Sequence, residues 1–384
     1  MTSLFKTPKQ LLKPQDYYSD EWFQREKRDL FDVSWVYACN ESALKEPGDF
    51  VTLKFMDHPL FVVREVNGGL RAYHNICRHR GCQVLEGAGN TAGAIVCPYH
   101  RWTYESDGSL RGVPNEIECF DELDRESLSL HPASVGVYAG MVFVNPSPQR
   151  DSEFEDWIGS MNDHAWPHDL SSLGYKGSVS YEMQCNWKLF YENAVDGYHL
   201  GYLHDRTLGK VYPSKNVWEP VGDHVVWYST EQDGKKKSNT LLTSKLSETY
   251  GSKMIPGAEM ADYPGVVMLF PLTIVSPSPW GFYVSVLEPA GPELTFMHSH
   301  SFGEKDEKAR DRAWLLDEAD IVRLSDLETH PLESGNFQIE DMWIVEKIQR
   351  NIRSPHYQVG PLARGDGAES PLTHFQETVL RYVN

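Results

Sequence analysis

The stretch from Arg71 to Tyr104 decides how this chain is read. It runs Arg71-Ala72-Tyr73-His74-Asn75-Ile76-Cys77-Arg78-His79-Arg80-Gly81 and, further on, Cys97-Pro98-Tyr99-His100-Arg101-Trp102-Thr103-Tyr104. Two Cys-His pairs, Cys77/His79 and Cys97/His100, have 17 residues between them. Strand-like runs, Arg71 to Asn75 and Ala94 to Val96, precede the pairs, so each pair sits in a loop. Two thiolates and two imidazoles suit one tetrahedral zinc. They equally suit a two-iron, two-sulfide cluster in which Cys77 and Cys97 hold one iron while His79 and His100 hold the other. Each loop brings one soft ligand and one imidazole. That favours the cluster, because finger-type zinc sites take both cysteines from one turn and both histidines from a helix.

Outward from this core, residues 1–35 read as an arm and one short helix, Trp22 to Leu30, opened by Ser19-Asp20-Glu21. Short β-rich runs fill residues 36–148, among them Phe50 to Phe55, Leu60 to Val66 and Gly136 to Val144. They predict a small all-β module, closed by Asn145-Pro146-Ser147-Pro148 as a linker. Residues 149–384 are mixed, with strands at Tyr181 to Cys185, His224 to Thr230, Val266 to Phe270, Gly281 to Leu287 and Leu294 to Phe302. Helices are expected over Asn186 to Leu200, Glu304 to Leu327, Phe337 to Ile352 and Pro371 to Val383, the last capped by Ser370. The fold class is therefore α+β, an all-β module followed by a domain with strands first and helices after.

Composition narrows the function. A net charge of −19 over 384 residues, with no offsetting basic stretch, argues against nucleic acid or an anionic membrane as partner. The one lysine run, Lys235 to Lys237, reads as a solvated hairpin. Pro271, Pro277 and Pro279 interrupt the most apolar stretch, Gly265 to Leu287, so no membrane span is expected. Without an apolar leader after Met1, the expected location is cytoplasmic, with reduced thiols. Cys82 is a bystander and His74 an ordinary strand residue. Gly87 to Ala92 matches G-x-G-x-x-A but leads into a strand, so it reads as a turn rather than a dinucleotide site.

A second constellation, Glu192-x3-Asp196-x2-His199-x4-His204, follows about one hundred residues after the first. On a regular helix Glu192, Asp196 and His199 share a face, whereas His204 is rotated by ~140° from His199. Bringing both imidazoles to one ion needs a helix end or bulge, which Gly201 permits. Two imidazoles and a carboxylate with positions left open form the facial triad of non-haem Fe(II) oxygenases. His298 and His300, on one strand face, have no matching carboxylate or cysteine in sequence and read as structural.

C-x-H-x17-C-x2-H with these flanks resembles the Rieske domain of Rieske non-haem iron oxygenases, and Asn186-Trp187-Lys188-Leu189-Phe190-Tyr191-Glu192 through His204 resembles the catalytic helix of their ring-hydroxylating α-subunits. The resemblance implies an N-terminal all-β Rieske [2Fe-2S] domain, followed by a helix-grip-like α+β iron domain. Trp102 would cover the cluster held by Cys77, His79, Cys97 and His100. His199 and His204 would bind a mononuclear Fe(II). Asp196 would hydrogen-bond His199 and bridge to His100 of a neighbouring copy. Gln338-Ile339-Glu340-Asp341 through Gln349 resembles the family's late E-D-x4-E-x2-Q helix, which implies Asp341 as third ligand, with Glu340 as alternative. Asn193, Leu200, Leu203, Phe337, Met342 and Trp343 are candidate pocket residues, and Arg206 lies nearby.

The expected activity is that of a terminal oxygenase. It would use O2 and electrons from NAD(P)H, through a separate reductase or ferredoxin, to hydroxylate a small aromatic substrate such as an aromatic acid. The alternative is oxidative N- or O-demethylation, quaternary amines included, although Asp196 stands where members acting on those amines often carry glutamate. An α3 trimer, with or without a β subunit, is implied. Two other classes stay open, a non-catalytic zinc-binding protein and a pure electron carrier.

Overall fold

The computed structural model describes residues 6–159, 161, 170–208, 216–229, 266–278, 281–303, 321–365 and 368–383. Helix α1 (Asp20–Asp29) starts where Ser19 accepts a hydrogen bond from Trp22 N at 3.3 Å. Ten strands follow: β1 (Val36–Asn40), β2 (Asp49–Phe55), β3 (His58–Arg64), β4 (Leu70–His74), β5 (Ala88–Asn90), β6 (Ile95–Val96), β7 (Thr103–Tyr104), β8 (Leu110–Gly112), β9 (Pro132–Tyr138) and β10 (Met141–Asn145). Seven make one sheet in the order β1-β10-β9-β4-β3-β2-β5, and β6-β7-β8 make a small second sheet. The two Cys-His loops leave β4 and β6, so one sheet carries each.

Beyond residue 170 come β11 (Gly174–Met183), α2 (Trp187–Ala194), β12 (Asn216–Val221), β13 (His224–Ser229), β14 (Val266–Leu269), β15 (Thr273–Ser278), β16 (Gly281–Gly291), β17 (Leu294–Gly303), β18 (Ile321–Val322), α3 (Phe337–Asn351) and α4 (Ser370–Val383). The strands form one eight-stranded sheet, β12-β13-β14-β15-β16-β17-β11-β18, in which every pair is antiparallel except the parallel β11–β18. Among the described residues no helix is long and apolar enough to cross a membrane.

Several expectations need correction. Gly136 to Val144 is a hairpin, β9 and β10, turned at Ala139-Gly140, both of which have positive φ. Gly87 to Ala92 contains an edge strand, β5, paired to β2. Asn145–Pro148 is no loose tether: Asn145 Nδ2 donates to Val33 O and Ser147 Oγ to Asp32 O. Residues 321–327 hold a short strand and a 3-10 turn rather than helix; residues 304–320 and the Lys235 to Lys237 run lie outside the described residues.

A buried polar cluster ties the arm to the second half. Lys188 and Glu26 meet at 2.6 Å with both side chains 0% exposed, and Trp22 and Trp187 donate their indole N–H groups to the same carboxylate. Breaking such a pair by removing one partner costs ~3–5 kcal/mol, because the other charge is left buried. One turn on, Glu192 Oε1 accepts from Tyr17 OH at 2.6 Å and Gln376 Nε2 at 2.7 Å. Gln376 Oε1 in turn accepts from Leu11 N at 2.6 Å, so arm, α2 and α4 are pinned together. Tyr191 stacks on Phe375 at 4.0 Å beside this cluster.

Burial pushes the Glu192 carboxyl up from 4.5 to about 7, against the pull of the Tyr17 and Gln376 hydrogen bonds and of Lys188. A carboxyl whose folded pKa exceeds its unfolded one binds more protons when folded. Its contribution is complete below the unfolded pKa and is lost as pH rises through about 7. Glu192→Gln should therefore gain stability relative to the native chain as pH rises from about 5 to about 8. Urea midpoints of both proteins across that range provide the measurement, and a pH-independent difference contradicts the expectation.

Candidate active site

The first site is built by the loops after β4 and β6. Both close through backbone bonds, Gly81 N to Cys77 O at 2.9 Å and Arg101 N to Cys97 O at 3.1 Å, with φ positive at Gly81 and Arg101. Cys77 and Cys97 are buried, while the His79 and His100 rings lie 4.7 Å apart with His100 exposed. Trp102 stacks on His79 at 4.8 Å and 7°, and so covers the imidazole side of the site. His79 Nδ1 is buried without a hydrogen-bond partner. A buried imidazole nitrogen facing a second imidazole, with two buried sulfurs on the adjoining loops, is the donor set of a cluster with two cysteine and two histidine ligands.

Tyr104 supplies something the sequence reading did not anticipate. Its hydroxyl accepts from Arg78 N at 3.0 Å, which leaves its own hydrogen for Cys77 Sγ, 3.3 Å away. Burial pushes the Cys77 thiol up while this contact pulls it down. With iron bound the sulfur is deprotonated outright, and a donor on it tunes the cluster potential. The only sequence signal was an aromatic two residues after Trp102.

The second site begins where α2 stops. The helix ends at Ala194 rather than Leu200, and Glu192 turns into the polar cluster described above rather than toward Asp196 and His199. Successive turns then present the two histidines: Tyr202 N and Leu203 N donate to His199 O at 2.9 and 2.8 Å, and Thr207 N to His204 O at 3.1 Å. Gly201 does not adopt a left-handed φ, so the break does not depend on it.

Three atoms converge. His199 Nε2 lies 3.1 Å from His204 Nε2, and Asp341 Oδ1 lies 3.0 Å from His204 Nε2 and 3.5 Å from His199 Nε2. Ligands at about 2.1 Å from an ion on one octahedral face are ~3.0 Å apart. The triangle therefore fits a metal with its opposite face open. Asp341 Oδ1 is also buried without a partner in hydrogen-bond geometry. Burial pushes the Asp341 carboxyl up, but the two imidazoles hold it below the ordinary carboxylate value, so it stays ionised. Burial lowers His199, yet Asp196 and Asp341 outweigh it and raise the ring to about 9.

Outside the triangle, each histidine has a carboxylate behind it. Asp196 Oδ2 is 3.2 Å from His199 Nδ1, and its Oδ1 accepts from Tyr198 N at 2.6 Å. Glu340, the alternative ligand, is not in the triangle; its Oε2 lies 2.6 Å from His204 Nδ1. Asn336 caps α3, accepting from Gln338 N at 2.9 Å, which puts Glu340 in its first turn and Asp341 directly after it.

The other sequence candidates divide. The Phe337 ring is 6.2 Å from His204, and Leu200 and Leu203 adjoin the ligand turns. Met342 lies in the apolar core, while Trp343 packs on His330 with Lys347 over its ring. Arg206 is exposed. His298 does have a carboxylate, Glu288 Oε2 at 2.9 Å, and Ser180 Oγ 3.0 Å from its Nδ1. That pairing across three neighbouring strands was invisible in sequence.

Asp341→Ala should lower iron by about one per chain and leave the visible spectrum of the two-iron cluster unchanged, whereas Cys97→Ala should remove that spectrum. Metal and acid-labile sulfide analysis of the purified variants checks both.

Comparison with known proteins agrees with this geometry. The family model for the ring hydroxylating alpha subunit (catalytic domain) matches residues 170–384, and that for the Rieske [2Fe-2S] domain matches residues 34–121. The carnitine monooxygenase oxygenase subunit of Acinetobacter baumannii is 25% identical over 376 residues, covering 95% of this chain and 93% of its own. The anthranilate 1,2-dioxygenase large subunit of Acinetobacter baylyi is 33% identical over 212 residues, 53% of this chain and 45% of its own. A quaternary ammonium Rieske monooxygenase solved with L-carnitine shares the fold, with TM-score 0.70 at 23% identity over 100% of this chain and 96% of that one. With the family model spanning more than half its length, the chain belongs to the ring-hydroxylating α-subunit family of Rieske oxygenases, whose cofactors are a [2Fe-2S] cluster and one mononuclear iron.

Proposed function

We propose that this chain is the oxygenase component of a monooxygenase that oxidises a carbon next to a quaternary nitrogen, supplied with electrons by a separate reductase or ferredoxin. The observation that carries it is the three-ligand triangle of His199, His204 and Asp341, with one face left free for oxygen and substrate. Its substrate class draws on a relative that aligns along nearly the whole chain, a carnitine monooxygenase. This reverses the order expected from sequence, where aromatic hydroxylation came first. The second reading, ring hydroxylation of an aromatic acid, keeps two supports: aspartate rather than glutamate at position 196, and the higher identity to the anthranilate enzyme over half the chain.

On this reading residues 36–148 form the cluster unit, with Cys77, His79, Cys97 and His100 as ligands, and residues 149–384 form the iron unit. The cluster supplies single electrons and the mononuclear iron supplies the oxygen chemistry. The protein's share is placement. Trp102 shields His79, Tyr104 donates to Cys77, and Asp341 holds a negative charge beside the two imidazoles. Exposed His100 and the carboxylate of Asp196 are the contacts through which one copy's cluster loop meets a neighbouring copy's iron segment in an α3 assembly. O2, two electrons and two protons convert the C–H to C–OH and release water. The resulting N–C–OH group collapses to a tertiary amine, an aldehyde and a proton.

The test pairs the purified chain with a surrogate reductase, NADH and O2, and screens quaternary amines such as L-carnitine against aromatic acids such as anthranilate. Amine and aldehyde formed in step with O2 consumed support the proposal; a hydroxylated ring with no amine release supports the second reading. Asp196→Asn should keep both metal centres filled and cut turnover by about 100-fold. Undiminished turnover in that variant would remove Asp196 from the electron path.

A further inference from the structure

We infer that Glu340 is the positioning residue that holds His204 in its metal-binding form, a role distinct from that of Asp196 behind His199. The inference rests on the iron-centre reading above. His204 and Glu340 are each 1% exposed, and the imidazole is held between consecutive residues of α3: Glu340 Oε2 at 2.6 Å from Nδ1 and Asp341 Oδ1 at 3.0 Å from Nε2. The same Oε2 accepts from Thr207 Oγ1 at 2.7 Å, and Thr207 N closes the turn onto His204 O. A neutral imidazole has one N–H. An anionic acceptor at Nδ1 puts the hydrogen there, leaves the Nε2 lone pair for the metal and strengthens it as a donor.

Asp196 is built differently. Its carboxylate is 17% exposed, stands 3.2 Å from His199 Nδ1 outside hydrogen-bond geometry, and spends its other oxygen on Tyr198 N. The buried carboxylate thus holds the metal-binding imidazole, and the more accessible one is left to contact a neighbour. Glu340 is also rigidly carried, because Glu346 and Gln349 of the same helix accept from Gln184 N and Asn186 N at the start of α2.

The test titrates Co(II) and Fe(II) into full-length protein that keeps its cluster but has had the mononuclear site emptied by a chelator. Native chain, Glu340→Gln, Glu340→Ala and Asp196→Asn are compared by metal affinity and by the Co(II) d–d spectrum. Glu340→Gln keeps an acceptor but loses the charge, and should weaken binding ~10-fold; Glu340→Ala loses both and should approach ~100-fold, with altered d–d bands. Asp196→Asn should stay within about 2-fold. Equal affinity and spectra for native, Gln and Ala proteins overturn the inference while leaving the iron centre standing. So does a loss in Asp196→Asn as large as that in Glu340→Ala. A native chain that takes up no metal at this site overturns the iron-centre reading and the inference together. If Glu340→Ala does not fold, the Gln variant alone decides, since a merely space-filling role predicts native affinity for it.

Discussion

The register between α3 and the α2 segment governs the rest of the iron domain. At its far end α3 accepts the backbone N–H groups of Gln184 and Asn186 through Glu346 and Gln349, which sets where α2 begins. At its near end, Glu340 and Asp341 take opposite edges of the His204 ring. A helix rises ~1.5 Å per residue, so the nine steps from Glu340 to Gln349 make a rod of ~13.5 Å. That rod holds both ends of the segment carrying His199 and His204, and the run Glu340-Asp341-x4-Glu346-x2-Gln349 becomes legible as one clamp. Its acidic residues spend their charge on partners rather than on solvent.

The clamp is embedded in a polar interior that is costly to build. Lys188 with Glu26, and Glu192 with Tyr17, are ionisable groups buried against one another, with the Gln376 amide on Glu192. Charges so placed persist only where the geometry is good and the remaining donors and acceptors are satisfied. Here the indole N–H groups of Trp22 and Trp187 complete Glu26, and the arm's backbone completes Gln376. The cluster joins three parts of the chain that are far apart in sequence, and it sits one turn before the ligand turns begin. The arm is thus part of the scaffold that fixes where α2 ends.

Legibility in sequence tracked how local the determining interaction was. The Cys-His loops were readable because their ligands, turn residues and covering tryptophan lie within about thirty positions. α2 is shorter than its apolar periodicity, which continues past Ala194, and Glu192, on one helical face with Asp196 and His199 by spacing, is claimed by Tyr17 and Gln376 from opposite ends of the chain. Asp341 stood ahead of Glu340 only through the resemblance to the family's late helix. They are neighbours of similar chemistry, and their roles differ only by which nitrogen of His204 each faces. His298 read as lacking a carboxylate because Glu288 meets it across strands rather than along one.

By itself the sequence marked two candidate donor sets, their order along the chain, and the all-β then α+β architecture, since spacing, residue softness and hydrophobic period are properties of short windows. Tertiary structure alone decided which carboxylate enters the metal triangle, which stands behind an imidazole, and which is spent on holding the arm. Those choices rest on distances between side chains up to 184 residues apart, as for Glu192 and Gln376. In a dry interior a few tenths of an ångström and the presence of a single donor decide whether a charge is ligand, orienting partner or buried support.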